Sequence, residues 1–177
     1  NNFRYRLGAP NEVHWLGTDR AGRDVLSRII HGSQVSLRIG LMVVVVTAVF
    51  GAVIGGLAGY FRRLDNPVMR VMDAMMAFPG ILLAIAIAAV LGPSEFNAVL
   101  ALAITYTPRT ARVARAAVLV VREMPYVEAA RAVGAGHMRI LLTHVLPNGL
   151  TPLIVQLSYI FAIAILAEAV SYTHLRA

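Results

Sequence analysis

The sequence contains no cysteine, which excludes a disulfide framework and any metal or redox chemistry carried by thiolates. It contains no lysine either, so all 16 basic residues are arginines. Charge of any sign is scarce. Charged residues make up 14% of the 177, where soluble domains carry about a quarter. The five histidines, His14, His31, His137, His144 and His174, are scattered without a paired spacing such as HExxH, so neither a metal site nor catalytic residues are expected. No GxxxxGK[ST] loop is present, and the glycine-rich "GAVIGGLAG" sits in an apolar run without a lysine. The chain is therefore not expected to bind ATP itself, nor to carry any other cofactor. A formal net charge of +7 could suggest nucleic acid, but the apolar content makes membrane-side loops the better account.

What is abundant is apolar length. Hydrophobic residues make up 58% of the chain, and the mean hydropathy is +0.70. Residues 39 to 60 form a run of 22 without a charge, enough at about 1.5 Å per residue to cross a hydrocarbon core. Within it Gly51, Gly55 and Gly59 recur every four residues and predict a small-residue face for close helix packing. A second uncharged stretch, Ala74 to Ser94, carries Pro79-Gly80 near its start, which marks a helix beginning or a kink. The six residues "GPSEFN" then read as a turn.

A third span is expected between Phe96 and Val121, although it takes in Arg109, Arg112 and Arg115. Arginine at membrane depth is costly, so these belong near the cytoplasmic end, snorkelling to the interface, or facing a polar interior. A fourth span runs from Leu150 to Ala167. The fold class predicted is all-α, a polytopic membrane helix bundle with about four spans. The loop with Arg62, Arg63 and Arg70 and the loop with Arg122, Arg131 and Arg139 belong in the cytoplasm, whereas Gly92 to Asn97 carries no arginine. The N-terminal segment, with six arginines up to Arg38, leaves its own side open by charge alone. There Asp19, Arg20, Arg23 and Asp24 read as a salt-bridged cap.

Between the last two spans lies "EAARAVGAGHMRILLTHVLPN". Glu128-Ala129-Ala130 opens a strong helix former after Pro125, Gly134 interrupts it, and Pro147 ends the amphipathic piece that follows. The pattern predicts a cytoplasmic helix-turn-helix, with Glu128 and Arg131 available to a partner.

Glu128, Ala129, Ala130, Gly134, Leu146 and Pro147 resemble the EAA motif of bacterial ABC importer permeases, with His144 where the family usually has isoleucine. "HWLGTDRAGRDVLSRIIHGSQVSL" and "AGYFRRLDNPVMRVMDAMMAFPGILLAIAI" continue the resemblance to the C-subunit type of dipeptide, oligopeptide and nickel permeases. The resemblance implies a type I transmembrane domain over 38–170, preceded by an extracytoplasmic segment over 1–37. It implies that segment 122–148 is the coupling helix region, where Glu128, Ala129, Ala130, Arg131, Gly134, Leu146 and Pro147 meet an ATPase. The implied partners are a second permease subunit, two cytoplasmic ATP-binding subunits, an extracytoplasmic substrate-binding protein and the lipid bilayer, in a multi-pass protein of the bacterial inner membrane. Family members have a further span at each end, so the chain reads as truncated, and residues 171–177, "SYTHLRA", as a non-native tail. Dipeptide, oligopeptide and nickel all remain open as cargo. The alternatives are a gradient-driven secondary transporter, which needs intramembrane acids that the uncharged runs lack, an intramembrane enzyme, which needs a catalytic pair, and an inactive fragment.

Overall fold

A computed structural model describes residues 6–92 and 94–175, with side chains to Ala167. The described backbone is helical apart from loops and one isolated bridge between Thr18 and Asp24. The chain divides into two compact units, Asn1–Arg38 and Ile39–Ala177.

In the first unit, Asp19 organises the loop that leads into helix α1 (Val25–Tyr60). Its Oδ1 accepts the backbone N–H groups of Ala21 at 2.8 Å and Arg23 at 2.9 Å. Its Oδ2 accepts Arg23 Nε at 3.0 Å and pairs with Arg28. The backbone N–H of Arg23 is the first cause that holds the Asp19 carboxyl well below the ordinary carboxylate range. Asp24 caps α1, accepting Ser27 N at 2.8 Å, and lies 3.2 Å from His14 Nδ1. The cap expected from Asp19, Arg20, Arg23 and Asp24 thus recruits His14 and Arg28, while Arg20 makes no ion pair among the described residues. Gly17 must be glycine. Its φ is +71°, and a Cβ there would collide with the carbonyl oxygen of Gly8.

In the second unit, α2 (Arg62–Met76) and α3 (Gly80–Leu91) are bent from each other by 88°. The Ala74 to Ser94 stretch is divided at Pro79-Gly80, where a helix beginning or a kink is expected. Pro79 offers no N–H and disfavours helical backbone at Phe78, so α2 stops and α3 begins afresh with only 12 residues. At about 1.5 Å per residue α3 reaches roughly 18 Å, well short of a bilayer core of about 30 Å. Asn97 closes the next turn by donating to the carbonyls of Leu91 at 2.7 Å and Gly92 at 3.1 Å. Gly92 sits at φ +85°.

Helix α4 (Glu95–Val121) is the hub of this unit. Its buried face is mostly small, with Ala101, Ala103, Ala111, Ala114 and Ala117. The glycines of α1 lie directly on it. A Cβ at Gly51 would stand 2.5 Å from Thr110 Cγ2, one at Gly55 would land on the carbonyl oxygen of Ala111, and one at Gly59 would stand 2.9 Å from the carbonyl oxygen of Arg115. Helix α8 (Leu150–Leu175) packs on the same hub, and Arg109 lies over the Tyr159 ring at 4.8 Å from its centroid.

The arginines of α4 meet partners on neighbouring helices. Arg112 pairs with Asp73, and Arg115 pairs with Asp65, Nη2 donating to Oδ2 at 2.6 Å. Both acids come from α2. Ion pairing offsets the cost of charge in a largely apolar helix.

Two helices are long and apolar enough to cross a membrane, Val25–Tyr60 and Leu150–Ala167, and the bent α2–α3 pair makes a third if it counts as one broken span. The expected number of about four is not reached on length and composition. The 27 residues of α4 suffice in length, but three arginines lower its hydropathy. Helix α8 carries helical backbone into the stretch read as a tail, and Arg176 and Ala177 lie outside the described residues, as do Asn1 to Tyr5 and Pro93.

Two outcomes follow from this packing. Gly55→Leu forces α1 off α4 and costs about 1–3 kcal/mol or more, whereas Gly32→Ala, with nothing within 4 Å of the new Cβ, gains up to about 1 kcal/mol of helix propensity; thermal unfolding of the purified protein separates them. Because the Asp19 pKa is depressed by folding, its contribution is fully present above the ordinary carboxylate value of about 3.9 and is lost as pH falls below it. The Ala21 and Arg23 amide resonances therefore stay constant from pH 7 to about 5 and move only under more acid conditions.

Candidate functional site

The segment after α4 opens with an extended Met124 and Pro125 at the first position of α5 (Pro125–Ala132), where the missing N–H costs nothing. Glu128 falls in the first turn and Arg131 in the last, each at the helix end its charge favours. Helix α5 stops at Gly134, whose φ is +82°. Gly134 N donates to the Arg131 carbonyl at 2.9 Å and Ala135 N to the Ala130 carbonyl at 3.1 Å, the paired bonds of a glycine-terminated helix. A Cβ on Gly134 would meet nothing within 4 Å, so within this chain the backbone conformation, rather than crowding, requires glycine.

After Gly136 comes α6 (His137–Ile140), a π-helical turn over Leu141–Val145, and α7 (Leu146–Asn148). The expectation that Pro147 ends this piece is corrected. The backbone stays helical through Asn148 and breaks at Gly149. Pro147 has no N–H for a carbonyl one turn back. The π turn shifts the bonding register, and Asn148 Nδ2 donates to the His144 carbonyl at 2.7 Å.

One face of this segment is core. Val127, Ala130, Ile140, Leu141 and Val145 are buried together with Val118 and Val121 of α4 and Tyr60 of α1. Leu146, half-buried, lies against Gly56 of α1, where a Cβ would come within 3.2 Å of its Cδ2. Two polar contacts reinforce the union. Arg122 Nη1 donates to the Gly59 carbonyl at 2.6 Å, satisfying one of the open carbonyls that end α1. The Tyr60 hydroxyl lies 3.2 Å from His137 Nδ1, with the two rings edge to face.

The other face is open. Glu128, Ala129, Arg131, Gly134 and Pro147 are exposed, and neither Glu128 nor Arg131 makes an ion pair with a described residue. A shallow depression of about 490 Å³ runs between Tyr126, Ala129, Val133, Gly134, Arg139 and His144. Apolar side chains stand out around it, Val133 at 85% exposure and Met138 at 52%. Of the residues singled out from sequence, Ala130 and Leu146 therefore hold the segment, and the others face outward. Tyr60, Arg122 and His137 were not singled out. Their partners are distant in sequence, and no local pattern marks them.

The family described as "binding-protein-dependent transport system inner membrane component" matches residues 47–175. A Brucella suis permease protein named for a peptide transport system is 54% identical over 168 residues, 95% of this chain and 57% of the relative. The dipeptide transport system permease protein of Alkalihalophilus pseudofirmus is 46% identical, covering 93% of this chain and 54% of its own length. The glutathione transport system permease protein of Pectobacterium atrosepticum is 41% identical, covering 96% and 57%. The chain spans about half the length of the curated relatives it matches.

At Gly134 a β-branched side chain is strained whatever space surrounds it. Gly134→Val costs about 1–2 kcal/mol and Gly134→Asn less, because asparagine tolerates left-handed backbone. Hydrogen exchange of the amides from 125 to 148 accelerates for valine and changes little for asparagine.

Proposed function

We propose a function from one premise: the chain belongs to the family of binding-protein-dependent transport system inner membrane components. We infer that it is a multi-pass permease subunit of an ATP-driven importer in the bacterial inner membrane, and that peptides are its cargo. The names of its relatives, for peptide, dipeptide and glutathione systems, support peptide over nickel. The proposed assembly contains a second permease subunit, two cytoplasmic ATP-binding subunits and an extracytoplasmic substrate-binding protein, with residues 1–37 of this chain as an extracytoplasmic segment.

Within that assembly, the outward face of the segment from Pro125 to Pro147 is the surface that receives the ATPase, and Glu128 is its charged contact. The observation that carries this reading is the buried cluster joining Val127, Ile140 and Val145 to Tyr60 and Val118. Close-packed side chains transmit displacement rather than absorb it. A push on the exposed face therefore moves the ends of α1 and α4 with it. Those helices hold the spanning glycine contact, so the motion reaches membrane depth as a rigid-body switch between two states. Gly134 lets α5 and α6 fold back on each other, which exposes both to one partner.

Glu128→Arg reverses the charge of the receiving face without touching the cluster. Co-purification of the ATP-binding subunits with the full permease falls by at least about tenfold, the effect of losing roughly 1.4 kcal/mol, while membrane insertion is unchanged. Equal recovery of ATPase with Glu128→Arg and native protein would remove Glu128 from the contact.

A further inference from the structure

The two aromatic residues where α1 ends and the arginines that follow them form the wall of a second depression. Its volume is about 300 Å³, and Tyr60, Phe61, Arg62, Arg63, Arg131 and His137 line it. Three guanidinium groups share this space with no acid among the lining residues. Elsewhere in the same unit, Arg112, Arg115 and Arg122 are each paired with a carboxylate, and Arg109 lies over the Tyr159 ring. Arg70 and Arg139, also without a carboxylate partner among the described residues, line no part of this depression. Arg62, Arg63 and Arg131 have no ion pair with a described residue, and the nearest acid along α2, Asp65, is engaged by Arg115. The N-terminus of α2 opens at the same place without a side-chain cap, adding its positive end to the field. Such a concentration of unneutralised positive charge fits an anion held by several donors at once.

The depth of the pocket identifies which anion. Tyr60 is the last residue of the uncharged run that starts at Ile39, and Arg62 and Arg63 follow within three positions. A run of that length places its end at the boundary between hydrocarbon and headgroups, where tyrosine is favoured and arginine meets lipid phosphate. We propose that this pocket binds the phosphodiester headgroup of an anionic phospholipid. Arg62 and Arg63 hold the phosphate from the end of the span. Arg131, which lines this depression and not the one beside Gly134, holds it from α5 and is assigned to the lipid rather than to the ATPase face. The bound lipid bridges α1 to the segment that follows α4, alongside the contact between Tyr60 and His137. This site requires only that the run from Ile39 to Tyr60 crosses the bilayer, and it stands or falls independently of the role of Glu128.

The test is lipid binding to the intact purified permease complex, read by native mass spectrometry while phosphatidylglycerol or phosphatidylcholine is titrated in. Native complex retains phosphatidylglycerol in preference to phosphatidylcholine. Each arginine at an anionic surface is worth roughly fivefold in affinity, so Arg131→Gln loses about fivefold and the triple Arg62→Gln, Arg63→Gln, Arg131→Gln variant on the order of a hundredfold. Arg70→Gln, an exposed arginine of α2 outside the pocket, loses nothing. Should the triple variant fail to assemble, the comparison of Arg131→Gln with Arg70→Gln decides alone. Equal effects of those two substitutions, or equal retention of both lipids by native complex, overturn the proposal. Displacement of the lipid by millimolar inorganic phosphate would show a soluble-phosphate site instead. Phosphatidylglycerol binding that emerges only after the ATP-binding subunits are stripped away would show that the pocket faces an acidic protein surface, and the lipid assignment would be wrong.

Discussion

Helices α1 and α4 meet with almost nothing between them. At Gly55 the space a side chain would need is occupied by the backbone of Ala111, and at Gly59 by that of Arg115. In lipid there is no hydrophobic gain from bringing two apolar helices together, so their association depends on close van der Waals contact over a surface without protruding side chains. Glycine every four residues on one helix, against alanine and threonine on the other, supplies it. The rest of the second unit takes its position from that contact. It brings the end of α1 to the end of α4, so that Arg122 reaches the Gly59 carbonyl and Tyr60 enters the cluster with Val118 and Val127.

The second constraint is electrostatic. Helix α4 carries three arginines where an isolated span would carry none, and the fold places a partner for each. Asp65 and Asp73 of α2 meet Arg115 and Arg112, and the Tyr159 ring of α8 meets Arg109. Helix α2 supplies both acids, and the wholly apolar α3, set off from it at Pro79, packs on α4 as well without contributing a charge. Of the arginines without a carboxylate partner among the described residues, Arg62, Arg63 and Arg131 line one depression, whereas Arg70 and Arg139 lie outside it.

The segment from Pro125 to Asn148 combines the two constraints. One face is anchored by large buried side chains to α1 and α4, and the other keeps its charges and apolar side chains exposed. A surface built this way is rigid from behind and unsatisfied in front, which is the ground for proposing that a partner docks there. The π turn accommodates Pro147, and the backbone breaks only at Gly149 before α8 begins.

The sequence by itself determined what depends on near neighbours and on composition. Uncharged runs dictate helices in lipid, the four-residue period of Gly51, Gly55 and Gly59 dictates a small-residue face, and the Glu-Ala-Ala to Gly134 spacing dictates a short helix with a glycine stop. Only the tertiary structure decided which helix fills that face, where α2 and α3 part, and which arginines find a counter-charge. Asp65 lies 50 positions from Arg115, Tyr60 lies 77 from His137, and Arg122 lies 63 from the Gly59 carbonyl. No periodicity links residues so far apart, because their meeting is set by helix packing rather than by helix geometry. Pro147 makes the same point on a smaller scale. Locally it reads as a stop, yet packing of Leu141, Val145 and Leu146 against α1 and α4 keeps the backbone helical past it, since burial of those side chains outweighs the one backbone hydrogen bond that proline removes.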